Sequence, residues 1–173
     1  MRRKSFADMN CSVAQALEVV GDPWTLLIVR DALFGVRRFD TFQERLGIPR
    51  NTLANRLDLL VRHGVLERRQ YQDRPARHEY VPTAKGRDLQ PVLLMLVRWG
   101  DRWGCLDEAP LRFVDRTTGE PVEPELVDNV SGRPLSELTI RPVVRASEPD
   151  APDGPAATGE PEDHPAPTPD HVG

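Results

Sequence analysis

A mainly α fold with one small β-hairpin, the winged form of the helix-turn-helix, is what this chain predicts, and three observations predict it. Residues 48–63, IPRNTLANRLDLLVRH, set Leu53, Ala54, Leu57, Leu60 and Val61 on one side of a helical wheel. Asn51, Thr52, Asn55, Arg56 and Arg62 lie off that side. The segments LERRQY, QDRPAR and HEYVPT that follow read as two strands around a basic turn. Before them, a second helical pattern over 39–46 is joined to the first across Gly47, and helix, glycine, helix over roughly twenty residues is the helix-turn-helix unit.

Taken in order, SVAQALEVV over 12–20 is a short helical pattern with Val13, Ala16, Leu17 and Val20 on one side, stopped by Gly21. Asp22 can cap the next helix and Pro23 is allowed at its first position. TLLIVRDALF follows as a nearly all-apolar run broken only by Arg30 and Asp31, so this helix is expected at the centre of the core, closed by Gly35. Phe39, Phe42 and Leu46 have the 3/4 spacing that packs a helix against it. In the helix over 48–63, Pro49 can stand in the first turn and Gly64 can take the left-handed conformation that ends it.

Thr83 is expected to cap one long helix, AKGRDLQPVLLMLVRWGDRWG. Its Leu89, Val92, Leu93, Leu96, Trp99 and Trp103 make an apolar stripe broader than one small winged domain can cover. A second copy of the chain is therefore expected, with Leu89, Leu93, Leu96, Trp99, Trp103 and residues 12–20 forming the seam of a homodimer. The alternative is that the helix folds back within one chain.

Charge divides the chain. Residues 1–104 carry a net +6 and residues 105–173 a net −10, with 12 of the 17 prolines in the second part, so the whole-chain balance of −4 hides a basic domain suited to phosphates. We therefore expect a winged-helix domain over 1–104, a small appendage over 105–147 and a disordered acidic, Pro-rich tail over 148–173. In the appendage LRFVDRTTGEPVEP reads as strand, Thr-Gly turn and extended return, and SELTIRPVVRA as another short strand. The tail has one large apolar residue, Val172, and cannot offset the entropy of ordering the chain. No internal repeat is apparent.

Cys11 and Cys105 are too few for a disulfide framework and suit a reducing cytoplasm. No apolar run follows the basic MRRK start or approaches 18 residues, so a soluble cytoplasmic protein with no membrane segment is expected. There is no CxxC or HxxxH pair, which argues against a metal, and no motif calls for a cofactor. No base stands beside a nucleophile, no Gly-rich phosphate loop is present, and the histidines are scattered, so an enzyme is not expected.

The chemistry lies on the polar face of 48–63. In a major groove Arg50, Asn51, Thr52, Asn55 and Arg56 would be within reach of double-stranded DNA. Asn can bridge adenine N6/N7 and Arg guanine O6/N7, which makes Asn51, Asn55 and Arg56 the expected base readers and Thr52 a phosphate contact. Arg37, Arg38, Arg74 and Arg77, at loop ends, belong with the phosphate-positioning groups. Arg68 and Arg69 are strand neighbours, so only one can point at the duplex. The bland alternative is a solvated helix face, and a rival is a winged-helix protein-interaction module that never meets DNA. That rival calls for an apolar or acidic face, whereas this one is Asn, Thr and Arg. Cys11 precedes a helix and lies near Arg2, Arg3 and Lys4 in sequence, a setting that favours thiolate. It is either a redox sensor or an inert residue buried in the dimer seam.

Over about residues 11–104 these motifs resemble the HxlR-type, MarR-like winged-helix transcriptional regulators. The resemblance rests on Cys11 before a helix, GDPWTLLIVRDALFG, RRF at 37–39, LGIPRNTLANRLDLLVRHGVLERRQY, RPARHEY followed by PTAKGRDL, and RWG at 98–100. It implies a dimeric bacterial regulator, usually a repressor of a nearby gene, that binds an inverted-repeat operator with helix 48–63 in the major groove and the wing near the minor groove. Several relatives use a cysteine at the Cys11 position to sense an oxidant or electrophile, and a small-molecule effector is the other expectation. Pro49 stands where the family often has Ser, and Leu59 where a polar residue is expected. Some relatives carry a tail resembling a zinc knuckle; here Asp115, Thr118 and Ser131 occupy positions where soft ligands would sit, so no structural zinc is expected.

Overall fold

Ile28, Val29 and Ala32 have no solvent exposure, and the helix that carries them, α2 (Pro23–Leu33), is the centre of the core as its apolar run predicts. In this computed structural model, which describes residues 5–104 and 108–143, it is preceded by α1 (Ser12–Val20). It is followed by α3 (Phe39–Leu46), α4 (Arg50–Arg62), β1 (Leu66–Gln72), β2 (Arg77–Pro82), α5 (Ala84–Arg87) and α6 (Gln90–Trp103). The result is a winged helix-turn-helix. Phe42 of α3, Ile48 of the turn, Leu53, Leu57 and Leu60 of α4, and Leu66 and Tyr80 of the hairpin close around α2. Each such side chain contributes about 1.5–3 kcal/mol on leaving water.

Local chemistry sets the turns. Asp22 caps α2 by accepting the Trp24 N–H at 3.0 Å, and the Thr25 hydroxyl donates back to the carbonyls of Val20 (3.0 Å) and Asp22 (2.7 Å). Gly47 (φ +61°) and Gly64 (φ +67°) take the left-handed conformation at the ends of α3 and α4, where a Cβ would be strained. Pro49 is the cap of α4 rather than part of its first turn, so the helix begins at Arg50.

The core also holds a charge that periodicity did not anticipate. Asp31 is fully buried, and its carboxylate is met by Arg30 at 2.9 Å and by Arg45 of α3 at 3.2 Å.

β1 and β2 pair antiparallel, Leu66 with Pro82 and Arg68 with Tyr80, and a bulge between Gln70 and Gln72 leaves Tyr71 outside the ladder. The α2–α3 loop joins them. Tyr80 donates its N–H to the Arg37 carbonyl at 2.8 Å, and Arg38 bridges Glu79.

The helix expected from Thr83 to Gly104 is broken. Thr83 caps only the single turn α5, accepting the Gly86 N–H at 3.2 Å, and α6 restarts at Gln90 because Pro91 lacks the N–H needed to continue and is at home in a first turn. Gly86 is required there: a Cβ would come 2.2 Å from the Val65 carbonyl oxygen.

The expected seam residues divide. Leu89 and Leu93 pack on the chain's own core, because α6 lies against α2 on that side. Val92, Leu96, Trp99 and Trp103 instead stay 46–64% exposed. On α1 the buried residue is Ala14, while Val13 and Ala16, from the predicted stripe, face outward.

The compact unit containing the winged domain continues through Leu135, and a second begins at Ser136. Residues 136–143 form no strand, contrary to the expectation for SELTIRPVVRA, while the rest of that segment and the tail over 148–173 lie outside the described residues. Residues 113–135 hold a repeat, contrary to the expectation of none. VDRTTGEPV at 114–122 and VDNVSGRPL at 127–135 form the same closed turn. Val114 bridges Pro121 and Val127 bridges Pro134. Asp115 accepts the amides of Thr117 (2.6 Å) and Thr118 (3.0 Å); Asp128 accepts the amide and hydroxyl of Ser131 at 2.9 and 2.6 Å. These carboxylates already hold internal donors and, among the described residues, no thiol or imidazole accompanies them, so the pair does not fit zinc. Arg98 of α6 ties the segment down by donating to the Pro124 carbonyl at 2.9 Å.

Backbone amides, Thr118 first, hold the Asp115 carboxyl below the ordinary aspartate range, and the Ser131 hydroxyl and amide do the same for Asp128. A lowered folded-state value means that the contribution is complete above the ordinary range, about 3.9, and disappears as pH falls through the lowered values. Amide signals of Thr118 and Ser131 should therefore hold their positions from neutral pH down to that range and move only below it. Movement centred near neutrality would contradict this.

Candidate nucleic-acid interface

The outer face of α4 lies opposite Leu53, Leu57 and Leu60 and carries Asn51 and Asn55, one turn apart and both exposed. Among the described residues neither amide has a side-chain hydrogen-bond partner, so both are open to an outside ligand. Asp58 shares this face one turn further on, and its charge confines anion contact to the first two turns. Among the described residues no side chain caps the N-terminus of α4 at Pro49, and its first turn has no acid, so its free N–H groups suit a phosphate. Thr52 is half-buried on a flank beside them.

Next to that turn a concave groove of about 550 Å³ runs between the start of α3, the start of α4 and the hairpin, lined by Arg38, Arg50, Arg68, Arg77, Tyr71 and His78 among others. Arg38 stacks over the Tyr71 ring at 5.1 Å and Arg50 over Phe39 at 4.7 Å, which holds both guanidinium groups in place without neutralising them. Arg50 also lies 3.5 Å from Asp40, an exposed pair of little energetic weight. Arg68 donates to His78 Nδ1 at 3.2 Å, while Arg69 is paired with Glu67 at 2.8 Å. Of the two neighbours, Arg68 lines the groove. Pairing of Arg68 with the core residue Tyr80 across the hairpin is the signal that could have found it. Arg74 sits exposed in the turn between the strands.

Two expected contacts are turned elsewhere. Arg37 is half-buried and donates to the carbonyls of Ala32 and Val36, closing the C-terminal end of α2 rather than facing a duplex. Arg56, expected among the base readers, lies on the flank of α4 toward α2 and pairs with Asp22 at 2.8 Å.

A family model described as HxlR-like helix-turn-helix matches residues 19–108. The chain belongs to the HxlR-like helix-turn-helix family. It is 43% identical over 132 residues to the uncharacterized HTH-type transcriptional regulator Rv3095 of Mycobacterium tuberculosis, covering 76% of this chain and 84% of that one. The solved structure of PA1607, a proposed transcription factor, superposes with a TM-score of 0.70 at 38% identity, over 80% of this chain and 99% of that one. The redox regulator HypR in its oxidized form superposes with a TM-score of 0.50 at 30% identity, over 53% of this chain and 96% of that one. HxlR-like proteins are DNA-binding transcriptional regulators, not enzymes. Among the described residues no helix is long and apolar enough to cross a membrane.

Replacing Asn55 with Ala should remove about 1–3 kcal/mol of discrimination between a preferred duplex and a random one. Replacing Arg77 should weaken both alike and lower the salt slope by about 1. Gel shifts at several salt concentrations separate the two; equal loss on both duplexes for Asn55→Ala would make it a phosphate contact.

Proposed function

We propose that this chain is a sequence-specific repressor acting as a homodimer on an inverted-repeat operator, with α4 in the major groove and the hairpin along the adjoining backbone. The observation that carries this reading is the pair of unpartnered amides, Asn51 and Asn55, beside a groove lined by four arginines. Asn51 and Asn55 read bases; Arg38, Arg50, Arg68, Arg74 and Arg77 meet phosphates, with Thr52 beside them. A protein-interaction module would not need this combination.

The exposed stripe of Val92, Leu96, Trp99 and Trp103 supports the dimer. Two tryptophans left 64% exposed on one helix are an apolar surface that a second copy, with α1 alongside, would cover. A two-fold pair presents two α4 helices about 34–36 Å apart, one DNA turn.

Selection of bound duplexes from a random library should return an inverted repeat with that spacing. Trp99→Glu should convert dimer to monomer in sedimentation and abolish retention of the full repeat. A selected site without dyad symmetry, or a variant that stays dimeric, would refute this arrangement.

Cys11, exposed at the start of α1, is proposed to make the dimer responsive to oxidants. Its position beside the proposed seam supports this, as does the likeness to HypR, a redox regulator. Diamide should lower operator affinity of the wild type and leave Cys11→Ser unchanged; an equal response in both would remove Cys11 from the switch.

A further inference from the structure

We propose that Asp22 and Arg56 together set the rotation of α4 about its own axis, so that Arg56 acts as a positioning residue for the reading amides and not as a reader. This rests on the DNA-binding role proposed above and assigns it a residue pair remote from the bases. The Arg56 guanidinium reaches Asp22 Oδ2 at 2.8 Å, and the two side chains are only 30% and 15% exposed. Arg56 Nε is buried with no hydrogen-bond partner among the described residues, so the guanidinium is held by the carboxylate at its far end and could not swing outward without stranding Asp22. Asp22 is fixed in turn, because its Oδ1 accepts the Trp24 N–H that starts α2.

The placement on α4 gives the pair its effect. The core triad Leu53, Leu57 and Leu60 determines how far α4 stands from α2, but rolling the helix slightly about its axis keeps apolar contact while moving Asn51 and Asn55 sideways. A charge pair on the flank, off the apolar line, resists that roll. Breaking a partly buried pair leaves an uncompensated charge, whereas rolling leaves the triad in the core. The same turn is tied to the end of α1 by the Thr25 hydroxyl on the Val20 carbonyl.

The test compares Asp22→Asn, Arg56→Gln, Arg56→Lys and the Asp22→Asn/Arg56→Gln double variant. Each is measured below its melting temperature, on the duplex that the wild type selects from a random library and on a random duplex. Asp22→Asn retains the oxygen that caps Trp24. Asp22→Asn and Arg56→Gln should each lose roughly tenfold or more of selectivity, and the double variant should lose no more than the worse single one. Salt slopes should stay at the wild-type value, and Arg56→Lys, which keeps a charge facing Asp22, should recover most of the selectivity. Should Asp22→Asn fail to fold, the Arg56→Gln and Arg56→Lys pair decides alone. Wild-type selectivity in Asp22→Asn or in Arg56→Gln overturns the proposal, even where the melting temperature falls. So does a salt slope reduced by about 1 in Arg56→Gln, the mark of a direct phosphate contact. Failure of the wild type to select any duplex would instead sink the DNA-binding reading.

Discussion

A carboxylate without access to water lies inside this fold, and the placement of the helix-turn-helix follows from how its charge is met. Asp31 is held by Arg30 from its own helix and by Arg45 from α3, at 2.9 and 3.2 Å. An ion moved into the interior costs several kcal/mol unless its partners are well placed, so α3 has little freedom to shift along α2. At the opposite end of α2, Asp22 does the same for α4 through Arg56. The apolar face of α2 thus sets spacing, and the carboxylates near its two ends set orientation. The exposed pairs Arg50 with Asp40 and Arg69 with Glu67 are screened by water and do neither.

The groove is organised by a different device. Arg38 and Arg50 lie over aromatic rings, which restrict long side chains that would otherwise sample many rotamers. Their positive charge survives, since a ring offers a quadrupole and no counter-ion. The surface is therefore basic and partly ordered before any polyanion arrives.

Much of this was legible because it is periodic. The basic turn QDRPAR between LERRQY and HEYVPT and the glycines at 47, 64 and 35 mark the hairpin and the turns, and the polar face of 48–63 identifies the helix that carries Asn51 and Asn55. Long-range partnerships were not legible. A helical wheel puts Arg56 off the apolar stripe but cannot say that this flank turns toward Asp22, and the polar Asp31 looks like a break in a run rather than a buried anchor. Arg37 reads as a basic loop residue until the fold brings the carbonyls of Ala32 and Val36 within its reach. The split in the C-terminal helix is signalled only by Pro91, and the apolar stripe runs on across it. The tandem turns are faint in the sequence because only Val, Asp, Gly and Pro recur, scaffolding residues scattered among variable ones.

The paired turns at 113–135 close upon themselves. Their hydrogen bonds join residues within each turn, so the loops are short and the entropy of closing them is small. Such units form quickly and in any order. Duplication of the short coding stretch would extend the chain by another self-contained element, and deletion would shorten it by one, with no new metal, disulfide or core required.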